Sequence, residues 1–300
     1  MKDLQYYITR PKVDAHNHLN LGMRYSSYLE WSGMPIPNFP RKMNGLDDMH
    51  DVIARYTRPR CQTADDVTSL IDMSLNDAIA DGVTVLEGSI DIGFMVHFHK
   101  DVEKFLQMVS GFVSRYRDRI DFRPELGFGK TFDKTKISKW APALMESGSF
   151  KSIDLYGPEV EEGIEDFKYL FTLAEKLGIK KKAHVGEFSD AASVRRFVEF
   201  FDLQEVQHGI GAAADDSVLA FLAERKVRCN VCPQSNYLLG AVPSLKEHPV
   251  KRMLDAGVPI TIGTDDLLFF DATVSEQVFD LVSEGIITEA DADRLLAEGV

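Results

Sequence analysis

Short apolar segments alternate with longer amphipathic segments through most of this 300-residue chain. The short segments are rich in β-branched residues, as buried strands are, and the longer ones repeat apolar residues at helical spacing. Eight strands can be placed, each followed by a predicted helix. Because strands and helices in this order form a parallel sheet closed on itself, we predict a (β/α)8 TIM barrel spanning 1–300 as one domain.

The predicted strands cover residues 12–16, 82–88, 121–127, 152–157, 182–185, 205–208, 227–231 and 259–264. The predicted helices cover residues 65–80, 101–116, 137–145, 164–177, 191–201, 217–224 and 245–256, and the remainder is predicted to be mostly helical. A doubly wound sheet is the alternative fold. It is disfavoured because no glycine-rich phosphate loop follows the first strand.

One long segment, from Leu21 to Arg60, does not fit this alternation. Its pattern is irregular, and four prolines interrupt it: Pro35, Pro37, Pro40 and Pro59. Aromatic residues between the prolines supply apolar anchors. Because a segment of this length inside a compact domain is usually functional, we predict a lid-like insertion at about 21–60.

Composition excludes several classes of partner. The formal net charge is −13, so the chain repels phosphate backbones and we expect no nucleic-acid partner. No apolar run reaches the length of a membrane span or a signal peptide, so we predict a cytoplasmic protein without a membrane partner. Three cysteines are too few for a disulfide framework, and Cys229 and Cys232 are interpreted as buried thiols. The sequence leaves the oligomeric state open.

Polar residues follow several predicted strands at the point where each strand ends. They are His16, His18, His184, His208, Asp265 and Asp266. In a (β/α)8 barrel the reacting groups lie at the carboxyl ends of the strands, so these six side chains should converge. Residues i and i+2 of a strand face the same side, so the first two imidazoles can reach one point.

Three imidazole nitrogens and one carboxylate suit a zinc ion. The predicted ligands are His16, His18, His184 and Asp265. Water on zinc titrates at roughly pH 7, which would supply a hydroxide nucleophile.

The remaining histidines receive no ligand role. His97 and His99 lie between the second strand and a helix without a strand-end carboxylate, and they are interpreted as surface residues. His50 and His248 stand alone in the sequence and are predicted to be solvated.

The order of these motifs resembles the adenosine deaminase family of zinc aminohydrolases. The resemblance depends on His16-Asn17-His18, His184-Val185-Gly186-Glu187, His208-Gly209 and Thr264-Asp265-Asp266. Two further stretches agree with it, at residues 154–159 and 232–236. The resemblance covers almost the whole chain and implies a barrel of the amidohydrolase type.

The resemblance implies a role for each matching residue. Glu187 would protonate the ring nitrogen beside the amino-bearing carbon, which requires a raised pKa that a dry pocket can supply. His208 would orient the hydroxide, and Asp265 would accept its proton as well as bind zinc. Asp266 would face the opposite edge of the purine, and the Gly157 N–H would contact a further ring nitrogen. A tetrahedral intermediate would then lose ammonia.

The resemblance also bears on the number of metal ions. Two-metal relatives on this barrel usually bridge their metals with a modified lysine at the end of strand four. Here that strand ends in Tyr156-Gly157, and the lysines at 180–182 lie at the wrong end of strand five. We therefore predict one Zn²⁺ per chain. The chain ends at Val300, closer behind Asp266 than in the family, so the family's last helices would be trimmed or absent.

One departure from the family concerns the substrate. Where the family carries Leu-Asp-Gly, with the aspartate at the ribose 5′-hydroxyl, this chain carries Leu19-Asn20-Leu21. Asparagine is neutral and can donate as well as accept, so it would tolerate a 5′-phosphate, a different sugar or none. With His18, Gly157 and Asp266 it makes up the predicted substrate-binding set.

The predicted substrate is a small purine, with adenosine, converted to inosine and ammonia, favoured. The alternative is deamination of adenine, an N6-substituted AMP or another aminated heterocycle. A barrel that binds a nucleoside without turnover is the third possibility. Intact Glu187, His208 and Asp265 argue against it, because a protein without activity has no need of them.

Overall fold

A computed structural model describes residues 2–33, 39, 42–159 and 161–299. Pro35, Pro37 and Pro40, which we expected to interrupt the 21–60 segment, lie outside the described residues.

Eight parallel strands pair in chain order and form a nearly closed barrel. They are β1 (Val13–His18), β2 (Val85–Asp91), β3 (Asp121–Gly129), β4 (Ser152–Tyr156), β5 (Lys180–Val185), β6 (Glu205–His208), β7 (Arg228–Val231) and β8 (Ile260–Ile262). A parallel bridge between Asn17 and Asp265 brings β1 next to the end of β8. The predicted TIM barrel is confirmed, and most strand boundaries differ from the prediction by only a few residues.

Helices surround the barrel. They are α1 (Leu4–Ile8), α2 (Tyr25–Ser32), α3 (Gly45–Val52), α4 (Ala64–Ala80), α5 (Val102–Tyr116), α6 (Lys134–Glu146), α7 (Lys168–Leu177), α8 (Ala191–Phe201), α9 (Asp216–Arg225), α10 (Pro233–Leu238), α11 (Val250–Asp255), α12 (Leu267–Phe270), α13 (Val274–Ser283) and α14 (Glu289–Ala297). Within the described ranges, none of these helices has both the length and the apolar character that crossing a membrane would require.

The predicted helix over 245–256 is divided in two. A 3-10 turn covers Leu245–Glu247, and α11 begins only at Val250. Between them His248 has extended backbone angles, φ −66° and ψ 128°. A proline disfavours helical angles in the residue before it, so Pro249 accounts for the break.

The described part of the 21–60 segment is more regular than its sequence pattern indicates. Much of its described part is helical: α2 and α3, followed by a π-helical turn over Ile53–Thr57 and a 3-10 turn over Arg58–Arg60. Its apolar residues form a second hydrophobic cluster, in which Tyr28, Met49 and Phe269 are buried. The described part of the segment therefore packs against Leu268, Phe269 and Phe270, which follow β8.

The barrel interior holds a buried cation below the predicted metal site. Lys182 stands two residues before His184 on β5, so both side chains face inward. Its Nζ lies 2.6 Å from Glu87 Oε2, 2.9 Å from Glu125 Oε2 and 3.4 Å from Glu205 Oε2. Burial by itself would lower the pKa of Lys182, but these carboxylates outweigh it and raise that pKa. Lys182 therefore has a structural role, in which it balances the charge of the glutamates buried inside the barrel.

We expect Lys182→Met to destabilise the fold by about 3–5 kcal/mol, because it leaves several buried carboxylates without their central cation. Urea denaturation followed by circular dichroism would measure the loss. The same substitution at Lys134, whose pair with Asp166 at 2.6 Å is exposed, should cost about 1 kcal/mol or less. Equal losses in the two variants would contradict a special role for the buried lysine.

Candidate active site

The three imidazoles predicted to bind a metal lie together at the carboxyl ends of β1 and β5. The ring centroids of His16 and His184 are 4.7 Å apart, and His18 lies 5.5 Å from the first and 5.3 Å from the second. One nitrogen from each ring lies within 4.8 Å of the others. His208, from the end of β6, lies 4.6 Å from His16 by the same ring measure.

Asp265 completes this cluster from the residues after β8. Its Oδ1 lies 3.6 Å from Nε2 of His16 and 3.6 Å from Nε2 of His18. Two ligands of a tetrahedral zinc ion, with bonds of about 2.0–2.1 Å, stand roughly 3.4 Å apart. Ser235 holds the other oxygen, because its Oγ donates to Asp265 Oδ2 at 2.6 Å. Asp265 Oδ1 thus stands close to the ligand-to-ligand spacing of one ion with respect to both His16 and His18.

Hydrogen bonds at the far side of two rings orient their nitrogens. His16 Nδ1 lies 3.3 Å from the carbonyl oxygen of Asn230, and His184 Nδ1 lies 3.2 Å from Asp154 Oδ1. Both partners accept, so each ring carries its proton on Nδ1 and turns an Nε2 lone pair to the centre. Among the described residues, buried His16 Nε2 has no hydrogen-bond partner. An orphaned lone pair beside a carboxylate is a position that a cation fits.

The electrostatics of the cluster suit metal ligation. Burial lowers the pKa of His16 to about 3 and that of His184 well below its ordinary value. Burial would raise the pKa of Asp265, but His16, His208 and His18 outweigh it and hold that pKa low. For His18, Asp266 and Asp265 outweigh burial and raise the pKa. Neutral His16 and His184 beside the Asp265 carboxylate have the protonation states that metal binding needs, whereas His18 would have to release its proton to bind a metal.

Glu187 lies beside this cluster and has a raised proton affinity. Its Oε2 lies 3.4 Å from His208 Nε2, which is 4.0 Å from Asp265 Oδ2. Only 6% of Glu187 is exposed. That burial raises its pKa well above the ordinary value, and the charges of Asp265 and Glu159 raise it further. A raised pKa favours the protonated carboxyl, which is the form that can act as an acid.

Glu159 holds the loop that carries Glu187, a role that the sequence analysis missed. Its carboxylate accepts the backbone N–H groups of Glu187 at 2.8 Å, Phe188 at 3.0 Å and Ser189 at 2.6 Å. The turn before them needs glycine, because Gly186 has φ +79° and a Cβ there would overlap the Val194 side chain. Glu159 lies within the motif at 154–159, but nothing in the sequence shows that it reaches this loop.

A cavity of about 550 Å³ opens onto the cluster. All four predicted substrate-binding residues line it: His18, Asn20, Gly157 and Asp266. Asp266 Oδ1 is buried and has no hydrogen-bond partner within the described part of the chain. Burial raises the pKa of Asp266 to about 7, with Asp265 adding to the shift. Its carboxyl can therefore meet either a donor or an acceptor on a ligand.

The wall of the cavity next to His18 holds a polar pair that the sequence analysis missed. The Tyr156 hydroxyl at the end of β4 donates to Asp91 Oδ2 at the end of β2, and both residues line the cavity. Burial raises the pKa of Asp91 to about 6. Buried Ser89 lies beside them in the lining. This wall offers hydroxyl and carboxyl groups beside the cluster, since the Tyr156 ring lies 5.4 Å from that of His18 and 5.9 Å from that of His184.

Two histidines differ from their predicted surroundings. His248 is buried, at 4% exposure, so the prediction that it is solvated was wrong. It is close to Asn236, with 3.2 Å between its Nε2 and Asn236 Oδ1. His97 is only half-buried and lines the cavity, with its Nδ1 2.9 Å from the Gln62 carbonyl oxygen. His50 and His99 are exposed, as expected.

A parallel barrel with imidazoles and carboxylates gathered at the carboxyl ends of its strands defines the class of protein, an amidohydrolase-type barrel. Comparisons with known proteins then give the family. The family model described as adenosine deaminase matches residues 11–300. The chain belongs to the adenosine deaminase family, and it is therefore a hydrolytic deaminase with aminopurines as its supported class of substrate.

Individual relatives agree with this assignment. A protein named "Putative adenosine/adenine deaminase" from Treponema pallidum (strain Nichols) is 59% identical over 297 residues, covering 99% of each chain. The adenine deaminase structure from Arthrobacter aurescens has a TM-score of 0.82 at 22% identity, covering 96% of this chain and 92% of its own. An amidohydrolase from Burkholderia ambifaria with bound Zn has a TM-score of 0.82 at 23% identity, covering 98% and 85%. Because both sequence identities are below 25%, these two structures show that the fold is shared and nothing further.

Proposed function

We propose that this chain is a zinc-dependent deaminase that converts adenosine to inosine and ammonia. The observation that carries the proposal is the position of Glu187, a buried acid that faces a cluster of three imidazoles and Asp265. Hydrolytic removal of an amino group from a ring carbon needs a proton donor for the adjacent ring nitrogen and a cation that activates water. Glu187 and the neighbouring cation site would supply these two functions.

One zinc ion per chain fits His16, His18, His184 and Asp265, since one nitrogen of each imidazole lies within 4.8 Å of the others and Asp265 Oδ1 lies 3.6 Å from Nε2 of His16 and of His18. Such an ion lowers the pKa of water to about 7 and so supplies the nucleophile. No lysine ends β4, and Lys182 is held by three glutamates below the site. Both observations support a single ion.

Three neighbouring residues would donate, orient or accept the protons of the reaction. Glu187 holds a proton for the ring nitrogen beside the amino-bearing carbon, and its raised pKa keeps that proton available. His208 directs Nε2 toward the same place and orients the attacking water. Asp265 Oδ2 lies 4.0 Å from His208 Nε2, close enough to receive the proton that the water loses. The proton held by Asp265 would then pass to the amino group. As the C–N bond breaks and ammonia leaves, the hydroxyl at the same carbon becomes the carbonyl and its proton returns to the Glu187 carboxylate.

The substrate ring would lie between two further contacts. Asp266, with one free buried oxygen, faces the edge of the ring opposite Glu187. Gly157 has φ +100°, and the nearest atom to a Cβ placed there would be the Lys130 backbone nitrogen at 3.7 Å, so the Gly157 backbone is open to a ring nitrogen. These contacts recognise a purine by its nitrogen edges.

A sugar-bearing substrate is favoured by the size and lining of the cavity. About 550 Å³ exceeds what a bare base needs, and the polar wall of Ser89, Asp91 and Tyr156 offers partners for hydroxyl groups. The same acidic wall disfavours a phosphate. Adenine is the second candidate, supported by the names of the Treponema and Arthrobacter proteins.

The 21–60 segment contributes to the wall of the cavity, which supports a role for it as a lid. Leu46, Met49 and Ile53 from this segment line the cavity together with the barrel residues. We propose that the segment is a lid and that residues 1–300 act as one domain. A lid that contributes apolar residues to the wall would exclude bulk water from the reacting ring.

Release of ammonia, or of methylamine in the case of N6-methyl-AMP, from a panel of amino-substituted heterocycles tests the proposed function. Adenosine, adenine, N6-methyl-AMP and cytosine would each be incubated with zinc-loaded protein and with chelator-treated protein. We expect the highest kcat/KM on adenosine and loss of turnover with the chelator. Turnover of none of these compounds by the zinc-loaded protein would contradict the proposal and favour binding without catalysis.

Replacing Asn20 by aspartate tests where the sugar lies. If Asn20 faces the sugar, Asn20→Asp adds a charge that repels a 5′-phosphate, so activity on N6-methyl-AMP should fall about 10-fold or more relative to adenosine. The ratio of kcat/KM values gives the result. Adenine is the internal control, because it has no sugar and its turnover should change little. A uniform change on all three substrates would place Asn20 elsewhere.

A further inference from the structure

His248 lies behind the active site, and its proton has one available position. It is buried outside the cavity lining, just before α11. Its Nδ1 accepts the backbone N–H of Val250 at 3.2 Å. Burial lowers the pKa of His248 to about 3, so the ring is neutral. A neutral imidazole that accepts at Nδ1 carries its proton on Nε2.

The Nε2–H of His248 orients the amide of Asn236. Nε2 lies 3.2 Å from Asn236 Oδ1, which can only accept. The carbonyl oxygen of this fully buried amide is therefore turned to His248. Its NH₂ group is turned the other way, toward the active site.

Both hydrogens of that NH₂ group reach active-site residues. Asn236 Nδ2 donates to Glu187 Oε1 at 2.8 Å and lies 3.1 Å from His208 Nδ1. An amide nitrogen can only donate, so His208 accepts at Nδ1 and carries its own proton on Nε2. That Nε2 is the atom facing Glu187 Oε2 at 3.4 Å and Asp265 Oδ2 at 4.0 Å.

The opposite orientation of the Asn236 amide would change both residues. Its oxygen would then face His208, which would have to carry its proton on Nδ1 and lose the donor at Nε2. Glu187 would have to place its acid proton on Oε1, away from His208. This orientation requires His248 Nε2 to accept, which leaves no proton on either ring nitrogen. His248 therefore excludes it.

We propose that His248 is a positioning residue for deamination: by fixing the Asn236 amide it sets the tautomer of His208 and leaves Glu187 Oε2 as the oxygen that carries the acid proton. The inference rests on the proposed function, because it assigns the orientation of the same two groups. Within the described part of the chain, the His248 ring pairs with Asn236 and Val250, and neither of these is a predicted metal ligand.

A matched pair of variants tests the proposal. Glutamine can place an N–H near the position of a histidine Nε2, whereas asparagine replaces only the Nδ1 side. His248→Asn should lower kcat about 10–100-fold, the usual cost of losing an outer partner, with KM and zinc content nearly unchanged. His248→Gln should recover most of that loss, although it gives up the bond to Val250.

Activity, melting temperature and zinc content would be measured for both variants in the full-length protein. Equal kcat values in the two variants, or a kcat loss that follows the melting temperature, would overturn the proposal. Wild-type protein that turns over no aminopurine would instead count against the proposed function alone.

Nitrogen-15 NMR of the wild-type imidazoles is a readout that needs neither turnover nor a stable variant. Protonated and unprotonated ring nitrogens have well-separated shifts. We expect both His208 and His248 to be unprotonated at Nδ1 and protonated at Nε2. A proton on Nδ1 of either ring would overturn the proposal.

Discussion

Replacing Glu187 by glutamine should remove most deaminase activity, about 10²–10⁴-fold in kcat, and leave the zinc content intact. Glutamine has the same shape and can still accept from Asn236 at the position of Oε1. It has no acid proton to give to the ring nitrogen. Because Glu187 is not among the predicted ligands, the metal site should remain filled. Steady-state ammonia release and elemental analysis of the same preparation measure the two effects.

Glu175→Gln is the control for this substitution, because Glu175 is an exposed residue of α7 far from the cavity. It should retain wild-type kcat. Substantial activity in the Glu187 variant would show that the proton comes from another group. Loss of zinc from that variant would show that the carboxylate also supports the metal site.

The second large effect is expected for His184→Ala. This change removes one nitrogen donor and leaves the buried carboxylate of Asp154 without the imidazole it now contacts at 3.2 Å. The zinc affinity should fall by more than the roughly 100-fold that loss of an outer-shell partner can cost. Competition titration against a chelator gives the affinity, and elemental analysis after dialysis gives the occupancy.

Two other variants calibrate this result. Asp154→Asn keeps His184 as a ligand and weakens only the hydrogen bond that orients its ring. The zinc affinity of this variant should therefore lie between those of the wild type and His184→Ala. His99→Ala removes an exposed imidazole and should leave zinc binding unchanged. Full zinc occupancy in His184→Ala would remove His184 from the ligand set.

The barrel could be predicted because each strand has a local signal. Buried parallel strands are short apolar runs, and the polar residues that end them mark the carboxyl rim. His16 and His184 illustrate this, since both follow apolar residues and both face the barrel axis. Convergence of the imidazoles follows from the topology alone, without knowledge of any contact.

The 21–60 segment could not be predicted in the same way. Helices as short as α2 and α3 are marginal by themselves and depend on packing against other elements. Here that packing involves Tyr28 and Met49 in a cluster with Phe269, a residue far along the chain. Its apolar pattern therefore shows no continuous helical period.

The polar wall at Asp91 and Tyr156 was missed for a different reason. Their strands, β2 and β4, are separated by β3, so the pair forms only across a third strand. Gly127 permits it, because a Cβ there would lie 3.0 Å from Tyr156 Cε1. The burial of His248 was missed for a similar reason. It depends on the break in the helix before Pro249 and on the contact with Asn236, neither of which is visible in the sequence.

Zinc titration of metal-free protein tests the central claim most directly. Chelator-treated protein would be dialysed, and adenosine deamination would be measured as zinc is added in steps. We predict that activity is absent without metal, rises in proportion to zinc and reaches its plateau at one ion per chain. Full activity in metal-free protein, or a plateau only at two ions per chain, would contradict a single ion held by His16, His18, His184 and Asp265.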